Sequence, residues 1–395
     1  MDSRWTYLDY NATTPVRPEV LTRVAEVMSV GGNPSSVHRF GRLARAFVDR
    51  ARESVADLAN ADVEQVVFTS GATEANALAL RSLASRATPG GRACGASRVL
   101  ISAVEHDSVV GAAHALDLPV ETVPVTADGV VDLAALQKML GAGGTTVLAL
   151  QLANNETGVV QPVATAAELV HALGGVLHCD AVQAAGRIPV DFPALGADTL
   201  VLSSHKMGGP TGAGALLARE LSLLSPMLIG GGQERGLRAG TENAAAISGF
   251  GLAAELADAD LSNANDISAL RDDLELRLKV IAAGVQTFGS AAARLPNTTC
   301  FALAGLDNET QVIALDLAGV AVSAGAACSS GKISASRVLR AMGVPEGLAR
   351  AAIRVSIGWA TSRADIDRFC AAWSEFATRQ MARATGSARF AAAAH

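Results

Sequence analysis

Aromatic side chains make up only 4% of this 395-residue chain, so a large core has to be aliphatic. Lysine is nearly absent. Of 32 basic residues only Lys138, Lys206, Lys279 and Lys332 are lysines, which an arginine-biased genome would explain, and a reaction that needs a primary amine has four candidates. Basic charge is not in surplus: the formal net charge of −6 argues against a dense phosphate-binding surface, and nucleic acid is not an expected partner. No apolar run reaches the roughly 18 residues of a membrane helix. The opening stretch MDSRWTYLDYN lacks the basic-then-apolar order of a signal peptide, so a cytoplasmic location without membrane attachment is expected. The five cysteines, Cys94, Cys179, Cys300, Cys328 and Cys370, are odd in number and dispersed, with no Cys-x-x-Cys pair. No metal site is expected from them, and in a reducing compartment most should be inert buried thiols.

What is present is an apolar half and 38 glycines, enough to bury a sizeable core in two or three structural units. Residues 60–220 alternate short apolar runs with helical patterns. Strands are predicted at 66–69, 98–102, 120–125, 145–150, 175–180, 199–203 and 214–218, with helices over 73–85, from 107, over 132–140 and over 163–173. That alternation implies a mostly parallel α/β sheet covered on both faces. Residues 241–285 read as long helix. Residues 286–380 mix strands (298–303, 320–323, 352–356) with helices (308–318, 334–342, 363–380) as a smaller α+β unit. The expected organisation is an N-terminal segment, 1–20, packing with the small domain, a large domain over 21–260, a small domain over 261–383, and an alanine-rich tail, 384–395, without fixed structure.

In such sheets ligands sit beyond the carboxyl ends of the strands, and four polar clusters stand there. Ser70-Gly71-Ala72-Thr73-Glu74 opens a helix; its bare N–H groups suit an anion, although an ordinary capped helix start looks the same. Val104-Glu105-His106-Asp107 offers a histidine for acid/base work or for stacking on a planar ligand, or simply a polar loop. In His178-Cys179-Asp180, the aspartate ends a buried strand, where its carboxylate needs a cationic or protonated partner, such as a nearby arginine, or a helix to cap. Ser203-Ser204-His205-Lys206 puts a lysine at a strand end, and a desolvated or cationic setting makes such an amine nucleophilic. A phosphate seat, an aldehyde-binding lysine, an acid for a ring nitrogen and a histidine for the ring face are together what pyridoxal 5′-phosphate requires.

With these clusters in hand, the chain resembles the cysteine desulfurases of the class V aminotransferase-like pyridoxal-phosphate family, in the nitrogen-fixation and iron–sulfur assembly branch. The resemblance runs from Tyr7-Leu8-Asp9-Tyr10-Asn11-Ala12-Thr13-Thr14-Pro15 to Arg354-Val355-Ser356-Ile357-Gly358. It includes Gly32–His38, Phe68–Glu74, Asn154–Gly158, His178–Gln183, Ser204–Lys206, Glu234–Thr241 and Ser323–Ser330. It implies a fold-type I pyridoxal-phosphate transferase: a large domain with a mostly parallel seven-stranded sheet sandwiched by helices, plus a smaller α+β domain. It implies that Lys206 carries the cofactor and moves the substrate's α-proton, that Asp180 pairs with the ring nitrogen, that His106 stacks and serves as acid/base, and that Gln183 bonds the phenolic oxygen. Ala72, Thr73, Ser203, Ser204 and His205 are implied at the cofactor and its phosphate, with Thr241 donated by the partner subunit of a homodimer. Asn155 and Arg354 would orient L-cysteine, and Cys328 would take its sulfur as a persulfide, leaving L-alanine. A sulfur-acceptor protein, such as an iron–sulfur scaffold, is the implied partner. Met207-Gly208-Gly209-Pro210-Thr211 and the segment Arg379–His395 depart from the family pattern, the latter where the assembly enzymes carry a scaffold-docking tail. Two related enzymes, an aminotransferase and a selenocysteine lyase, would share the pocket, but an aminotransferase needs no Cys328. A non-catalytic binding protein would be expected to have lost Lys206 or Cys328. A nicotinamide dehydrogenase is disfavoured because no Gly-x-Gly-x-x-Gly follows the first strand.

Overall fold

The computed structural model of the chain describes residues 5–85, 95–325 and 335–392, with side chains as far as residue 382. A short strand, β1 (Thr6–Tyr7), precedes the central sheet of β2 (Val66–Thr69), β3 (Arg98–Ser102), β4 (Val120–Val123), β5 (Thr146–Ala149), β6 (Val176–Asp180), β7 (Thr199–Ser203) and β8 (Gly214–Ala218). The spatial order is β2-β8-β7-β6-β5-β3-β4. Neighbours from β7 to β4 are parallel, whereas β8 runs antiparallel to both β2 and β7. All but β4 are buried along their length, as the near-continuous apolar runs require of strands covered on both faces. The strands other than β8 share one direction, so Thr69, Ser102, Ala149, Asp180 and Ser203 end at one edge of the sheet.

The smaller unit holds β9 (Val285–Thr287), β10 (Thr298–Leu303), β11 (Val320–Ala321), β12 (Ser323–Ala324) and β13 (Ile353–Ser356). Four of them form an antiparallel sheet in the order β12-β13-β10-β9, and β11 pairs in parallel with β1. The single strand expected over 320–323 is thus two, divided at Val322 between two sheets. Leu8 packs in the small core, and the N-terminal segment is also tied to the small unit through the bridge from Asp9 to Ser356.

The long helix expected over 241–285 is interrupted. It runs Ala244–Ala259, tightens into a 3-10 turn over Asp260–Asn263, and resumes over Ala264–Ile281. Asp260, Ser262 and Asn263 compete with the helix for backbone groups, and the Ser262 hydroxyl donates to the Ala259 carbonyl at 2.8 Å. Phe250, Ala253 and Ala257 before the turn pack in the large core; Leu274 and Leu278 after it pack in the small one. The large core is mostly aliphatic, as the composition requires. Buried aromatics are shared between the cores: Phe68, Phe192 and Phe250 lie in the large one, and Phe301, Phe369, Trp373 and Phe376 in the small one, where the Phe301 and Trp373 rings meet edge-on at 5.4 Å. The terminal helix runs Arg363–Ala392.

Candidate active site

Beyond the carboxyl ends of the strands lies a cavity of about 450 Å³ lined by residues from both units. Ala72, Thr73, His106, Asn155, Asp180, Gln183, Ser203, His205, Lys206 and Arg354, all singled out from sequence, lie in its wall. Two do not. Ser204 is fully buried and its hydroxyl has no hydrogen-bond partner among the described residues; it points against Gly209, where a Cβ would stand 2.1 Å from Oγ. Thr241 is exposed and lies outside the cavity of its own chain. Cys328 and Cys94 lie outside the described residues.

Lys206 follows β7 in a 3-10 turn, Ser204–Lys206. Its ammonium donates to the carbonyls of Asn11 (2.6 Å) and Ala12 (2.9 Å). Its own carbonyl accepts from Thr14 Oγ1 (2.8 Å) and Arg187 Nη2 (3.2 Å), so the N-terminal segment clasps the lysine at both ends. Asp180 is fixed by neutral donors: Asn76 Nδ2 reaches Oδ2 at 2.9 Å, and the Val182 amide reaches Oδ1 at 3.0 Å. No ion pair to it is seen among the described residues. The remaining acceptor capacity of this carboxylate faces the cavity, where a protonated ring nitrogen would supply the cationic partner that the sequence calls for.

His106 caps the helix Asp107–His114, its Nδ1 accepting from the Ser108 amide at 3.1 Å. The loop that carries it is pinned from below, since Gln151 Nε2 and Asn154 Nδ2 both donate to the Val104 carbonyl. Gln183 donates to the Asn11 carbonyl at 3.0 Å and accepts from Arg187 at 2.9 Å. Burial, with the neighbouring Lys206 and Arg187 charges, lowers the His205 pKa to about 4, so this imidazole is neutral. At the opposite wall, Arg354 donates from Nη1 to the Asn155 carbonyl (2.8 Å) and from Nη2 to Asp9 (2.6 Å). Its buried Nε–H has no acceptor among the described residues, leaving a donor for a substrate carboxylate.

The helix Ala72–Ala84 begins at the cavity wall. Gly214 of β8 lies so close that a Cβ there would stand 2.7 Å from Gly71 Cα and 3.1 Å from the Ala72 nitrogen. The first-turn N–H groups thus form a closely backed anion seat. Together with the amine, the carboxylate and the histidine, this cradle fits pyridoxal 5′-phosphate.

Asn76, Arg187 and the carbonyls of Asn11 and Ala12 escaped the sequence reading. For Asn76 a signal exists: it is a lone amide in the otherwise apolar middle of a helix, one turn beyond Ala72 and so on the same face. The backbone contacts carry no such signal.

Burial raises the thiols of Cys179, Cys300 and Cys370 well above the ordinary range, so these three are core residues rather than thiolate nucleophiles. Among the described residues no helix is long and apolar enough to cross a membrane.

The family model for aminotransferase class V matches residues 6–369. A cysteine desulfurase of Cereibacter sphaeroides is 41% identical over 368 residues, 92% of this chain and 93% of that protein. A cysteine desulfurase, IscS 1, of Archaeoglobus fulgidus is 38% identical over 368 residues, covering 92% and 94%. Among solved structures, a NifS-like protein superposes with a TM-score of 0.86 at 31% identity, covering 95% of this chain and 99% of that one. SspA in complex with cysteine superposes with a TM-score of 0.75 at 28% identity, covering 89% and 98%. The chain therefore belongs to the class V aminotransferase family, which implies pyridoxal 5′-phosphate as cofactor, and within it to the IscS/NifS-like cysteine desulfurases.

Proposed function

We propose that this enzyme takes the sulfur of L-cysteine onto Cys328, releases L-alanine, and passes the sulfur to an acceptor protein for iron–sulfur clusters or another sulfur-containing cofactor, acting as a cytoplasmic homodimer. The observation that carries the reading is the convergence of Lys206, Asp180, His106 and the Ala72 helix start on one cavity that Arg354 closes from the other unit. When bound, pyridoxal 5′-phosphate supplies an electron sink for the bonds around the substrate's α-carbon. Lys206 holds it and moves a proton at the α-carbon. Asp180 keeps its ring nitrogen protonated, His106 lies at the ring face and acts as acid/base, and Gln183 meets its phenolic oxygen. Ala72, Thr73, Ser203 and His205 hold its phosphate. Asn155 and the unused Nε–H of Arg354 orient the substrate.

The sulfur step balances without an external oxidant. The carbon–sulfur bond of cysteine breaks and that carbon gains a proton, while a sulfur–sulfur bond forms on the Cys328 thiolate. Two observations support Cys328. The described cysteines, Cys179, Cys300 and Cys370, are buried and protonated. In addition, Ser323 of β12, five residues before it, is in register with Arg354 on the cavity wall.

The test uses the purified protein, its visible absorption, and alanine and sulfide released from L-cysteine. Lys206→Ala should lose the absorption band after dialysis. Cys328→Ser should keep the band and its response to L-cysteine but make no alanine. A band retained by Lys206→Ala, or substantial turnover by Cys328→Ser, would overturn the respective assignment.

A further inference from the structure

Asn76 is fully buried in the helix Ala72–Ala84 and bonds on three sides. Its Nδ2 donates to Asp180 Oδ2 at 2.9 Å and to Ser108 Oγ at 2.9 Å, and its Oδ1 lies 2.9 Å from His178 Nε2. The orientation follows from donor rules. An ionised Asp180 can only accept, so the NH2 group faces it and the carbonyl faces His178. His178 must then carry its proton on Nε2, with Nδ1 accepting from the Thr199 hydroxyl at 2.9 Å. This imidazole is fully buried, and desolvation lowers its pKa to about 4, so a neutral ring with one defined tautomer anchors the amide.

The second arm is equally directed. Ser108 Oγ receives the Asn76 N–H, and its own proton points to His106 Nδ1 at 2.8 Å. The Ser108 backbone amide also donates to that nitrogen, and a backbone N–H has no other role, so the His106 proton sits on Nε2. One continuous chain therefore runs Thr199–His178–Asn76 and forks to Asp180 and to Ser108–His106. Among the described residues, Glu105 and Cys179 also act on Asp180; burial keeps Cys179 protonated, and Glu105 protonated below about pH 8.

We propose that Asn76 is a positioning residue for the cofactor ring, aligning the Asp180 carboxylate for the ring nitrogen and, through the Ser108 hydroxyl, holding the orientation of the His106 ring. The proposal rests on the reading of Asp180 and His106 given above. It is distinct from a structural role for the amide, because a buried hydrogen bond to a carboxylate favours the charged form of that group.

The test is a pH titration of the visible absorption of the holoenzyme, with the cofactor dissociation constant and the melting temperature of the cofactor-free protein measured alongside. Asn76→Leu, close in size but apolar, should bind the cofactor about tenfold more weakly, as loss of one charge-assisted hydrogen bond predicts. It should also shift the titration midpoint upward, because a less firmly protonated ring leaves the Lys206 nitrogen more basic. Ser108→Ala should leave that midpoint in place and lower kcat with KM unchanged, since it cuts only the His106 arm. Should Asn76→Leu fail to fold, Asn76→Ser, which leaves room for a water, carries the same expectation. If Asp180→Asn moves the midpoint while the Asn76 variants change only the melting temperature, the relay is wrong. If Asp180→Asn itself leaves midpoint and affinity unchanged, the assignment of Asp180 has failed and the relay with it.

Discussion

Glu105 stands one residue before His106, fully buried, with Oε1 accepting from Ser102 Oγ (2.7 Å) and from the Gln151 amide (2.8 Å), and with Oε2 unpartnered. Desolvation, reinforced by the Asp180 charge, raises its pKa to about 8, and Glu156 on the far side of the cavity is raised by burial to about 7. A carboxyl whose folded pKa is raised is protonated in the native state while the unfolded chain is already ionised. Its contribution is fully present below about pH 4.5 and is lost as pH rises toward the folded pKa. Glu105→Gln keeps an acceptor for Ser102 and Gln151 and removes the titration. The variant should match the parent near pH 4 and gain on it from about pH 5 to pH 8, by up to about 1.4 kcal/mol per pH unit. Urea unfolding of the two proteins at pH 5 and pH 8 checks this, and an unchanged difference between them would show that Glu105 is not buried neutral.

Between elements, glycine allows a close approach. The helix Arg39–Leu58 crosses the helix Ala244–Ala259 at Gly251, where a Cβ would stand 2.4 Å from Ala51 Cα and 2.7 Å from its Cβ. Neither neighbour is the tip of a flexible side chain, so the helices themselves would have to part. Gly251→Ala is favoured by helix propensity by about 1 kcal/mol, yet overpacking of a closed contact costs about 1–3 kcal/mol. A net loss of up to about 2 kcal/mol is expected, read as a lower midpoint in denaturant, and a variant more stable than the parent would contradict the packing. Nearby, the turn at Gln233–Gly236 holds Glu234 and Arg235 at positive φ (44° and 59°), a strained choice for non-glycine residues. A buried fork holds it in place: Arg52 reaches both Glu234 oxygens (2.6 and 2.8 Å), and the Phe68 amide joins at 2.8 Å.

At the scale of the molecule, that pinned turn leads to Thr241, which lies outside its own chain's cavity. Large apolar side chains are also exposed: Met28 (70%), Val37 (88%), Phe40 (57%) and Ile229 (89%). Apolar surface of this kind fits a partner's face and supports the proposed homodimer with Thr241 completing the neighbour's phosphate seat. Sedimentation should give a dimer, and Thr241→Ala should weaken cofactor retention about tenfold. A fully active monomer would refute shared sites.

Much of the site was legible in the sequence because its parts are local. Asp180, Ser203 and Lys206 each lie at or just beyond the end of an apolar run. Ala72 and Thr73 open a helix directly after one, and a parallel sheet necessarily brings such ends to one edge. The alternation of runs and helices likewise determined the sheet, its strands and the small unit. Only the tertiary structure decided the rest. The reversal of β8, the division of 320–323 between two sheets, and the break at Asp260–Asn263 depend on which distant partner offers hydrogen bonds. The clasp of Lys206 by Asn11 and Ala12 spans nearly 200 positions and uses carbonyls that every residue possesses. Asn76, Ser108 and His178 come from three separate segments and acquire their roles only through mutual geometry within hydrogen-bonding distance. Residue type and spacing along a chain encode local periodicity, whereas the direction of a buried hydrogen bond is set by the three-dimensional arrangement of groups that must all be satisfied at once.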